Sequence, residues 1–140
     1  MKYIPIVLAL SSDELPQNFK YPKSFEALLQ QLPPKEALEP WGITASTEAN
    51  TLYSEQFQVP LVQFAQAWHE DMVACFVADS GLDPKVLVIN PWAQACENGE
   101  WKEVGAIIEQ FPNFEAWLAW LRDSDLVRLH AEHRMEQQQR

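Results

Sequence analysis

Three short apolar runs, Leu61–Ala65, Met72–Val77 and Val86–Ile89, follow one another inside the stretch Val59–Ala93. They are rich in β-branched and aromatic side chains, which pack well on a pleated surface, and each is too short for a typical helix. The pieces between them are polar. Gln66–Asp71 connects the first two. Asp79, Ser80 and Gly81, continued by Asp83-Pro84, connect the next two, with Gly81 free to take positive φ. Asn90-Pro91 ends the third run. The pattern predicts three neighbouring strands of one sheet, with Met72–Val77 the most buried.

The flanking segments read as helices and turns around that sheet. Ser24 can cap a helix over Phe25–Leu32, where Phe25, Leu28, Leu29 and Leu32 recur at helical spacing and Pro33-Pro34 stops it. Tyr3–Leu10 is a first strand or a helix start, and Pro5 favours an edge position. Lys35–Ser46 adds a helical turn before Pro40, then a corner at Trp41-Gly42 whose indole plugs the edge of the core. Thr44–Gln58 reads as a loop holding a short helix. Asn98-Gly99 signals a tight turn. Trp101–Ile108 reads as a fourth strand, with a helix start at Ile107 and Ile108 as the alternative. Asn113 can cap a last helix whose stripe is Phe114, Trp117, Leu118, Leu121 and Leu129, with Trp120 to one side. Residues 132–140 form a polar tail.

With 140 residues, 47% apolar content and six tryptophans, the chain is expected to be a single α+β domain with a real core. Twenty acidic residues face ten basic ones, a formal net charge of -10. A field of that sign disfavours nucleic acid and anionic membranes, and it suits either solubility or a basic protein partner. No apolar stretch is long enough to span a membrane. The N-terminal run is short and lacks a clear small-x-small site, so a cytoplasmic protein is expected. Four ungrouped glycines leave no phosphate-binding loop.

The residues that could carry chemistry are few. His69, Glu70 and Asp71, with Asp79, would serve a metal-dependent hydrolase if strand ends brought them together, but H-E-x-x-H spacing is absent and a solvated connection explains them more simply. His130 and His133 share a helical face without an evident third ligand. Cys75 sits in an apolar run, where burial raises a thiol pKa and weakens it as a nucleophile; its pairing with Cys96 stays open. No catalytic residue, metal or cofactor is therefore expected. Trp68, Trp92 and Trp101 fall at strand ends or in connections, where indoles either cap a small core or anchor a partner. With the polar residues of those turns they give a candidate protein-binding set: Trp68, His69, Glu70, Asp71, Asp79, Trp92 and Trp101.

From Trp41 to Leu121 the chain resembles the SMI1/KNR4 family, the SUKH superfamily. The positions that carry the likeness are Asn50 and Tyr53, the run Val59-Pro60-Leu61-Val62-Gln63-Phe64-Ala65, Asp71 before a strand and Asp79 after it, Val86–Ile89, and Phe114-Glu115-Ala116-Trp117-Leu118. No Gly-Gly precedes Asp71 here. The resemblance implies a mixed or largely antiparallel sheet of about four to six strands with helices packed on one side. It implies a non-enzymatic protein-binding domain, in bacteria an immunity protein that neutralises a cognate toxin by direct binding. The partner expected is a protein such as a basic toxin domain. The protein itself is expected to be a monomer or weak homodimer, and a structural homodimer built on exposed tryptophans is a further alternative.

Overall fold

The computed structural model describes residues 10, 14–30, 41–67 and 71–123. Residues 3–9 of the first apolar run, the turn before Pro40, the side chains of Trp68, His69 and Glu70, and the tail with His130 and His133 lie outside them.

The three apolar runs are strands, as their composition predicts. The element order is α1 (Lys23–Gln30), β1 (Trp41–Ile43), α2 (Thr47–Phe57), β2 (Leu61–Ala67), β3 (Met72–Val77), β4 (Val86–Asn90), β5 (Gln94–Glu97), β6 (Glu100–Glu103), β7 (Ala106–Phe111) and α3 (Phe114–Asp123). β1-β2-β3-β4-β7 form one five-stranded sheet, and β5-β6 form a separate two-stranded ribbon. Every pairing is antiparallel. The fold is a single α+β domain.

Both faces of the sheet are covered, so helices are not confined to one side. One face presents Val62, Phe64, Ala74, Phe76, Val86 and Val88 to α1 and α3. The other presents Leu61, Val73, Cys75, Val77, Leu87 and Ile89 to Tyr53 and Phe57 of α2 and to Val59. Double coverage explains why these strands are continuously apolar instead of alternating. The first face is the larger core. Phe76 stacks on Phe64 at 4.2 Å between ring centroids and meets Phe25 edge-on at 5.4 Å. Phe114 and Trp117, both fully buried, close it from α3. Trp41 and Trp117 cross at 5.5 Å and 89°, with neither indole N–H finding an acceptor.

Several local expectations change. α1 starts one residue before Ser24, and the Pro22 carbonyl, not the Ser24 hydroxyl, accepts from Phe25 and Glu26. Trp41-Gly42 is strand rather than corner, although the indole is buried as expected. The short helix expected before β2 is longer than its loop, the 11-residue α2, opened by Ser46, whose side chain accepts from the Ala49 N–H. Its sheet-facing aromatics, Tyr53 and Phe57, are one helical turn apart. Trp101–Ile108 is two strands, broken at Val104-Gly105. Asn113 does cap α3, accepting from the Ala116 N–H at 2.9 Å.

A small polar latch fixes the bulge where β2 bends. The β2–β3 register shifts between Gln63 and Ala65, leaving Phe64 as the extra residue. Asn50 of α2 accepts the Gln63 N–H at 2.8 Å through Oδ1, and the Gln63 side chain donates to Thr44 Oγ1 at 2.6 Å. All three side chains are buried. Asn50→Ala leaves a buried N–H unpaired and is expected to destabilise the fold by about 1–3 kcal/mol, read as a lower urea midpoint. An unchanged midpoint would show that the latch is not needed.

Candidate functional site

Antiparallel pairing sorts the turns into two ends. The β2–β3 connection, the exit of β4, the β5-β6 ribbon and the start of β7 share one end, because Val73 pairs with Ile89 and Asn90 with Ala106. The β3–β4 connection lies at the other end, beside the start of β2, because Leu61 pairs with Val77.

This sorting separates the candidate residues. Asp71 and Asp79 flank β3, whose six residues at about 3.3 Å each hold them about 20 Å apart. Metal ligands sit about 2 Å from a shared ion, so Asp71 and Asp79 do not hold one ion together. Among the described residues no three His, Cys, Asp or Glu side chains gather as ligands. Asp79 instead joins a groove of about 1240 Å³ lined by Leu15, Phe19, Tyr21, Leu82 and Asp83. Asp71 lies at the ribbon end and takes φ 51°, a left-handed turn conformation that Asp tolerates better than most residues. Trp92 lies at the same end, directly after β4.

The ribbon end is where apolar side chains meet solvent. Of the seven exposed large apolar residues among those described, five fall between 92 and 108: Trp92, Trp101, Val104, Ile107 and Ile108. Trp101 is 70% exposed and Trp92 38%. Trp101, expected at a strand end or in a connection, lies in β6 opposite Cys96. Val104, Ile107 and Ile108 were not legible as surface residues, because an apolar run looks alike whether it is covered or not. Glu97, Glu100, Glu103 and Glu109 lie on the same strands, β5, β6 and β7, and all four residues are exposed.

The geometry that holds the ribbon is specific. Asn98 and Gly99 both have positive φ, 52° and 79°, as a two-residue hairpin turn requires. At the root, the N–H groups of Val104 and Gly105 both donate to the Ala93 carbonyl, at 2.8 and 3.0 Å. Gln56 of α2 donates through Nε2 to the Pro91 carbonyl at 2.8 Å. Gly105 has φ 76°, and a Cβ there would lie 2.7 Å from Gln56 Nε2 and 2.8 Å from Phe57 Cζ. The ribbon is thus seated on the C-terminal half of α2.

Titration shifts lie away from this end and arise from burial. Cys75 is fully buried under α2, and desolvation holds its thiol far above the ordinary range. Cys75 and Cys96 are both free, one buried and one exposed. Burial also raises the Tyr21 and Tyr53 hydroxyls. In the unfolded chain a thiol ionises near pH 8.5, while native Cys75 stays protonated, so above about pH 8.5 the unfolded state binds fewer protons and native stability falls as pH rises. The Cys75 contribution is at most about 1.4 kcal/mol per pH unit, and the two tyrosines add to it above about pH 10. Urea midpoints at pH 7.5, 9 and 10 should fall for the native sequence and fall less for Cys75→Ala. Parallel curves would remove the thiol as the cause.

Comparison with protein-family models, curated proteins and solved structures finds no match to this chain. Among the described residues no helix is long and apolar enough to cross a membrane.

Proposed function

We propose that this chain is a non-enzymatic, cytoplasmic protein-binding domain of the SMI1/KNR4 kind, and an immunity protein that neutralises a toxin by direct contact. The observation that carries the reading is the concentration of exposed indole and aliphatic side chains at the ribbon end, on strands that also carry exposed glutamates. Interfaces combine aromatic anchors with a polar rim. The formal charge of -10 would speed encounter with a basic toxin surface and repel a second copy of the chain. The resemblance adds support at two places. Asn50 and Tyr53 lie on one helix against the sheet, and Phe114, Trp117 and Leu118 pack against the core from another.

Titration calorimetry of the purified protein against toxin domains encoded beside its gene tests this. A one-to-one complex whose affinity falls with added salt is expected. Absence of binding to every neighbouring gene product would contradict the reading.

A further inference from the structure

The two faces of the ribbon differ in chemistry. Cross-strand pairing puts Gln94, Cys96, Trp101 and Glu103 on one face and Ala95, Glu97, Glu100 and Lys102 on the other. Lys102 is the ribbon's one base, and it faces Glu97 at 4.0 Å on the second face. The first face therefore carries an open indole and, two positions along the same strand, a carboxylate with no ion-pair partner among the described residues. Trp101 and Glu103 are about 7 Å apart along the strand, the reach of one long side chain.

We infer that this ribbon face takes an arginine side chain from a basic protein partner, an inference that rests on the protein-binding reading above. A guanidinium can stack on the indole, whose face carries negative quadrupole density, while its N–H fork donates to Glu103. A second copy of the chain is the poorer occupant, because Glu97, Glu100, Glu103 and Glu109 would meet their own counterparts. Strand addition to the adjacent edge of the main sheet fits less well. β7 is distorted by a register shift at Ile108, and the Glu109 carboxylate already accepts the Gln110 N–H at 3.2 Å. Both features blunt an edge against pairing. A partner thus meets side chains of the ribbon face rather than a free backbone edge.

The test follows the Trp101 indole N–H in proton–nitrogen NMR, assigned with Trp101→Phe, during titration with tetra-arginine amide and tetra-lysine amide at low salt. A saturable shift of that resonance is expected with tetra-arginine. Binding, read from the Trp101 indole or, in Trp101→Leu, from the backbone amides of residues 94–103, should be about three- to tenfold weaker for tetra-lysine, and for tetra-arginine on Trp101→Leu and Glu103→Gln. Both substitutions are at exposed positions and should fold normally. A stationary Trp101 resonance, or unchanged affinity in both variants, would overturn the arginine site. A toxin domain that binds native protein and Trp101→Leu equally would also remove it while leaving the protein-binding reading intact. Tetra-arginine binding at Trp101 without any toxin partner would do the reverse.

Discussion

Phe76→Ala should lower stability by about 3–5 kcal/mol, a drop in melting temperature of about 10–20 °C for a domain of this size. Phe76 has no solvent exposure and meets the rings of Phe19, Tyr21, Phe25, Phe64 and Phe114 within 6.1 Å. Truncating it opens a cavity that β3 and α1, each held by other contacts, cannot both collapse into. The loss is a large part of the about 5–15 kcal/mol that holds a typical domain together. Ile107→Ala is the matched control. Ile107 is an exposed apolar residue on the edge strand, and its loss should change stability by no more than about 0.5 kcal/mol. Thermal melts of the two variants compare a covered apolar group with an uncovered one. Equal losses would mean that the ribbon end is part of the core and not a surface held ready for contact.

Gly105→Ala is expected to be the second most damaging change, at about 2–4 kcal/mol. Left-handed backbone strain supplies about 1–2 kcal/mol of this and displacement of Gln56 and Phe57 the rest. Gly99 separates the two terms. It too has positive φ, 79°, but a Cβ there meets nothing within 4 Å, so Gly99→Ala should cost only the strain. The Gly105 variant should also loosen the ribbon, since moving Gln56 breaks its bond to the Pro91 carbonyl. Faster amide exchange across residues 94–103 in Gly105→Ala, without faster exchange in β3, is the expected pattern. If Gly99→Ala and Gly105→Ala melted together, the seating on α2 would not be what holds the ribbon.

The central strands were legible because burial on two faces leaves an unbroken apolar run. The same fact hid the second layer. Val73, Cys75 and Val77 point away from Ala74 and Phe76, so a single covering layer cannot bury both sets. α2 was hard to read because it needs few apolar residues to cover its face, and Leu52 on it is exposed. Asn98-Gly99 and the Asn113 cap were readable because each is set by a local backbone requirement. Which end of the sheet a turn occupies is not local. It follows from strand pairing, and pairing separates Asp79 from Asp71 while joining Trp92 to the ribbon.

Amide hydrogen exchange of the protein with and without a bound toxin domain tests the binding surface most directly. Slower exchange is predicted over residues 92–108, with little change over residues 15–24 and 78–83 around the opposite groove. Protection confined to that groove, with the ribbon exchanging as it does in the free protein, would contradict it.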